Sequence, residues 1–115
     1  KQAFADDALV TDAMVDRYAL LNRVAGTRQA TLARFQAPPD TTLETRAVEI
    51  AIPTLILWGA EDQLIPADAG AAWKAKVKGA ELIVYPGIGH IPMEEIPEKS
   101  AADTAKFLAA HLTAP

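Results

Sequence analysis

The sequence predicts an α/β fold built on a parallel sheet, and three observations carry that expectation. Two short apolar runs, Thr54 to Trp58 and Glu81 to Tyr85, have strand length and are bounded by Pro, Gly and polar residues. Each is followed by a longer segment, from Pro66 and from near Pro97, whose apolar residues recur at helical spacing. The order strand, helix, strand, helix calls for a right-handed crossover, so the two strands run the same way.

The elements follow in chain order. Thr11 is placed to cap a helix with Met14, Tyr18 and Leu21 on one stripe and Asp12, Asp16, Arg17 and Arg23 on the other face. Gly26 ends it, and Thr27 is placed to cap a short second helix carrying Leu32 and Phe35. Pro38-Pro39 breaks the chain. Thr41-x-x-Glu44 is a capping box, so a third helix is expected through Leu43, Ala47 and Ile50, stopping before Pro53. From Thr54 the period changes to a continuous apolar run, as in strands covered on both faces. Pro66 opens the next helix, with Ala69, Trp73 and Val77 inward, Lys74 and Lys78 outward, and Gly79 as its stop. After the second strand, the last helix carries Ala101, Ala105, Leu108 and Leu112 on one face.

Two parallel strands make a poor sheet on their own. Sheets average five or six strands, and an apolar strand needs backbone partners along both edges. The chain therefore reads as the C-terminal portion of a larger doubly wound domain, an expectation that its start at Lys1 reinforces.

Composition narrows the function classes. The chain has 115 residues, half of them hydrophobic, enough for one globular domain. Its net charge of −4 and its scattered Lys and Arg argue against a nucleic-acid partner, which wants a clustered basic face. The longest apolar stretch, Ile50 to Trp58, is interrupted by Pro53 and too short to span a bilayer. No targeting segment precedes Thr11, and the balance suits a soluble cytoplasmic protein without a membrane partner. There is no cysteine, and the two histidines lie 21 positions apart without the spacing of a zinc site.

The chemistry concentrates at the two strand ends. Asp62 follows Gly59 after the first strand. His90 stands 28 positions further on, in the loop Tyr85-Pro-Gly-Ile-Gly-His90 after the second. An acid in such a loop is most often a turn former, and a lone histidine is most often structural. Both at the carboxyl edge of one sheet, where clefts form, is a different matter. Glu61 and Asp68 are near competitors of Asp62. Nothing here reads as a nucleophile: the sole serine, Ser100, lies in the last helix.

These residues resemble the C-terminal third of the α/β-hydrolase fold. The pattern W-G-x-x-D is matched by Trp58-Gly59-Ala60-Glu61-Asp62, and G-H-x-P-x-x-E-x-P by Gly89 through Pro97. The resemblance runs from about Ile50 to Leu112; residues 1–40 resemble the helical cap of such enzymes, with residues 41–115 as the core part. It implies a nucleophile, acid, histidine order, with Asp62 and His90 as the catalytic acid and base and the nucleophile outside this chain. It implies neither cofactor nor metal. The expected activity is hydrolysis of a small apolar ester or related acyl compound, with the 115-residue chain inactive alone. Epoxide hydrolysis, dehalogenation and C–C bond hydrolysis are alternatives on the same fold. A further alternative is a non-catalytic piece whose exposed strand edge pairs with a second copy or with a complementing N-terminal piece.

Around this pair, Ile91 and Met93 flank the histidine and are expected to touch substrate. Glu95 is expected to brace the histidine loop through backbone hydrogen bonds. Trp58 and Trp73 read as packing residues, and His111 as a surface or helix-end charge. Met14, Tyr18, Leu21, Leu32 and Phe35 either line an apolar pocket or glue the helices together.

Overall fold

The computed structural model describes residues 2–38, 40 and 42–112, without the side chains of residues 43 and 44. The expected capping box at Thr41 and Glu44, and Pro39 of the proline pair, therefore lie outside the described residues.

Helix α1 spans Asp12–Arg23, and the Thr11 hydroxyl oxygen accepts the Met14 amide at 3.2 Å, the expected cap. Helix α2, Thr27–Gln36, departs from expectation at its start. Its first turn closes on the Gly26 carbonyl, which accepts from Ala30 at 2.9 Å, so Gly26 takes the cap position and Thr27 already lies inside the helix. Helix α3, Thr42–Arg46, tightens into a 3₁₀ turn over Ala47–Glu49. Ile50 is thus outside the helix that its spacing implied, because a 3₁₀ last turn ends the hydrogen-bond ladder early.

Strand β1, Leu55–Gly59, pairs in parallel with strand β2, Glu81–Tyr85, in the register Leu55 with Glu81 through Gly59 with Tyr85. Helix α4, Asp68–Lys76, makes the crossover between them and starts two residues after Pro66, whose carbonyl accepts the Ala69 amide in a preceding turn. It lies against β1 through Gly70, where an added Cβ would stand 3.0 Å from the Trp58 ring. A short helix α5, Pro92–Glu95, which the periodicity did not announce, precedes helix α6, Pro97–His111.

The core is small: Ala47, Val77 and Ala80, with Ile56 and Trp73 packed on them. Tyr85, 2% exposed, fastens α6 to the sheet by donating its hydroxyl to Asp103 Oδ2 at 2.9 Å. Burial, then the Asp103 hydrogen bond and charge, push that phenol up to about 12, so it remains a donor. His111 lies exposed at the end of α6, its Nε2 3.0 Å from Glu81 Oε1.

The accessible surface is 8638 Å². A compact monomer of 12.3 kDa exposes about 6100 Å². The excess has a visible source. Among the described residues the sheet has two strands, each with one unpaired edge, and the apolar Leu55–Trp58 run is only half-buried. No helix of the described residues is long and apolar enough to cross a membrane.

Candidate active site

Asp62 and His90 meet beyond the carboxyl ends of β1 and β2. Pairing continues past the strands, with Ala60 donating to the Tyr85 carbonyl and Glu61 to the Ile88 carbonyl, each at 2.9 Å. The two loops therefore leave the sheet side by side. Asp62 Oδ1 accepts the amides of Leu64 and Ile65, both at 2.9 Å, an Asx turn that aims Oδ2 at the histidine. Oδ2 lies 2.8 Å from His90 Nδ1.

The electrostatics fix the tautomer. Burial of Asp62 would raise its carboxyl, but the amides of Ile65 and Leu64 and the His90 hydrogen bond outweigh it and hold the group below its ordinary value. An ionised carboxylate only accepts, so Nδ1 carries a proton, and in the neutral ring it is Nε2 that presents the lone pair. The Asp62 side chain is 3% exposed and that of His90 36%. The acid is shielded while the imidazole reaches a small cavity of about 90 Å³ lined by Leu57, Trp58, Gly59, Asp62 and His90. Of the competing acids, Glu61 and Asp68 are both exposed, and Asp68 opens α4.

The histidine loop is gripped from two sides. Glu95, 7% exposed, accepts the Gly89 amide on Oε1 at 2.8 Å and the Ala5 amide on Oε2 at 2.9 Å. The His90 amide donates to the Ala3 carbonyl at 2.8 Å, and Phe4 between these anchors is buried. The Glu95 brace follows the sequence expectation. The role of residues 3–5 does not: their partners lie about 90 positions away, and no local pattern signals them.

The loop glycines divide their work differently from the expected pair of turns. Gly87, at φ 73°, makes the turn. Gly89 has no such backbone; a Cβ there would lie 2.7 Å from the Ala5 nitrogen and 2.9 Å from Glu95 Oε1. It is a packing glycine, as is Gly59, over which the Ile88 and Gly89 carbonyls cross.

Ile91 helps wall an apolar cavity of about 430 Å³ with Phe4, Val10, Met14, Val15 and Tyr18. Met93 is 60% exposed and lines neither cavity. Of the five α1 and α2 apolar residues, Met14 and Tyr18 line the large cavity, while Leu21, Leu32 and Phe35 are exposed. The Trp58 indole donates to the Ile65 carbonyl at 3.0 Å, tying β1 to the Asp62 loop.

The family model described as the alpha/beta hydrolase fold matches residues 1–97. The chain belongs to the α/β-hydrolase fold family. Within that family it is 38% identical over 64 residues to a 2-hydroxy-6-oxononadienedioate/2-hydroxy-6-oxononatrienedioate hydrolase of Paraburkholderia xenovorans, an alignment covering 56% of this chain and 22% of that protein. It is 37% identical over 68 residues to lipase 3 of Moraxella sp., with the same coverage of 56% and 22%. Among solved α/β-hydrolase structures, a meta-cleavage product hydrolase superposes with a TM-score of 0.78 at 20% identity, covering 95% of this chain and 42% of that one. The chain thus spans less than half the length of these relatives.

Proposed function

We propose that this chain is the acid- and histidine-bearing part of a cofactor-independent α/β-hydrolase that cleaves carboxylic esters or related acyl compounds. The observation that supports this reading most is the Asp62–His90 pair at 2.8 Å, with the acid buried and the far side of the imidazole open. His90 Nε2 takes the proton of a nucleophile supplied from outside this chain as that nucleophile attacks the acyl carbon. Asp62 accepts from Nδ1 and stabilises the imidazolium. His90 then returns the proton to the leaving alcohol, and the same cycle with water releases the acid. Imidazole serves both transfers, as the neutral base in the first and as the imidazolium acid in the second. The half-buried β1 edge is the place where the sheet strands carrying that nucleophile would join. By itself the 115-residue chain turns over no ester.

The test uses the whole protein that carries this chain, with a chromogenic ester. His90→Ala and Asp62→Asn are each expected to lower kcat/KM by roughly 10³-fold or more. Near-normal turnover by His90→Ala would refute the reading.

A second reading, C–C bond hydrolysis, draws support from the relatives named for 2-hydroxy-6-oxononadienedioate. It uses the same pair and is separated by substrate: faster turnover of such a dienedioate than of any ester favours it.

A further inference from the structure

Two adjacent side chains of α1 join it to the histidine loop through a third that lies far from them in sequence. Glu94 Oε1 accepts from Arg17 Nη2 at 2.7 Å and from the Tyr18 hydroxyl at 2.9 Å, across 77 and 76 positions. Glu94 lies in α5, the turn that follows His90. Its other oxygen, Oε2, is buried and has no hydrogen-bond partner among the described residues. Leaving a buried carboxylate oxygen unpaired is unfavourable. The carboxylate therefore sits where Arg17 and Tyr18 hold it, not where solvation alone would put it.

Of the three, Tyr18 also bounds the apolar cavity of about 430 Å³. Tyr18 walls it from α1, and Ile91, next to His90, walls it from the loop. Glu94 grips the hydroxyl of the first and belongs to the turn that begins beside the second. The Arg17 guanidinium stands 5.5 Å over the Tyr18 ring, so its charge is engaged by the carboxylate and the ring face together. The wall left to an occupant is mostly apolar and carries no charged side chain; beyond the Tyr18 hydroxyl, its one polar side chain, Asn22, donates to the Tyr18 carbonyl at 3.0 Å.

We propose that Arg17, Tyr18 and Glu94 form a latch between α1 and the histidine loop, with Glu94 as the positioning residue that sets the width of the cavity beside His90. Its ligand class is an uncharged aliphatic acyl chain. The kinetic test rests on the hydrolase reading; the latch geometry does not. Arg17 is 54% exposed and the Glu94 side chain 19%, so screening keeps the effect moderate.

In the whole hydrolase, p-nitrophenyl esters from acetyl to octanoyl separate this role from a merely structural one. Glu94→Ala is expected to raise KM for the octanoyl ester by about three- to tenfold with kcat nearly unchanged, because ground-state and transition-state binding are lost together. The acetyl ester, too short to reach the cavity wall, keeps its KM. Glu94→Gln retains an oxygen that accepts from Tyr18 and Arg17, and restores most of the loss. Arg17→Ala combined with Tyr18→Phe gives the same octanoyl defect, and adds nothing on top of Glu94→Ala, as members of one network do. Should Glu94→Ala not fold, the Arg17 and Tyr18 variants carry the same comparison. Equal KM changes for both esters, a fall in kcat alone, or additive effects would each overturn the latch. Turnover that survives His90→Ala would overturn the hydrolase reading instead, which keeps the two failures distinguishable.

Discussion

Replacing Gly59 by alanine probes the joint on which the proposed site turns. A Cβ built there would stand 1.9 Å from the Gly89 carbonyl oxygen and 2.3 Å from that of Ile88. Ordinary contact begins at 3.4 Å, so the histidine loop would have to retreat by about 1.5 Å. Both clashing atoms are backbone, and the loop is anchored by Glu95 and by the Ala3 carbonyl, so no flexible side chain can absorb the strain. A retreat of that size breaks a 2.8 Å contact between His90 Nδ1 and Asp62 Oδ2. Misplacement by 1 Å costs on the order of 10²-fold in rate. Overpacking adds a stability loss of about 1–3 kcal/mol. The assay is kcat/KM on a chromogenic ester beside thermal unfolding, both on the whole protein that carries this chain. Expected are a loss of roughly 10²-fold or more and a lowered Tm. Activity within threefold of wild type at unchanged Tm would refute the argument that the crossing carbonyls leave no room at Gly59.

The remaining predictions concern the brace and the acid. Glu95→Ala leaves the amides of Gly89 and Ala5 without their carboxylate and is expected to destabilise the whole protein by about 3–5 kcal/mol in urea unfolding. A loss below 1 kcal/mol would mean that water replaces the brace without cost. The Asp62 carboxyl is held below its ordinary value near 3.8, so the folded state binds this proton less tightly than the unfolded chain does. Its contribution to stability is complete above that ordinary value and is lost as pH falls through the lowered one. The stability difference between wild type and Asp62→Asn should therefore shrink as pH falls below about 5; a difference independent of pH there would contradict the assignment.

Much of the fold was legible because local rules were strong. Thr11 caps as its position implied, β2 occupies the expected residues, and β1 is displaced by a single position. The boundaries that moved did so where neighbouring backbone competed for the same donors. The Gly26 carbonyl displaced Thr27 as the cap, and a 3₁₀ turn ended α3 before Ile50. The turn Pro92–Glu95 was hidden because four residues carry too little periodicity to register. Asp62 was separable from Glu61 and Asp68 in the sequence by motif spacing alone; burial and an Asx turn supply the physical reason.

By itself the sequence determined the α/β class, the parallel order of its two strands, and the presence of an acid and a histidine at their carboxyl ends. Periodicity, turn residues and capping are local properties, and they act over a few positions. Only the tertiary structure decided that Asp62 and His90 touch, which nitrogen faces the acid, and which glycines yield to crossing backbone. It alone brought Ala3, Ala5 and Glu95 around one loop, and Arg17, Tyr18 and Glu94 onto one carboxylate oxygen. Such contacts join residues some 30 to 90 positions apart. They arise from how strands and helices stack, and no short stretch of sequence encodes that.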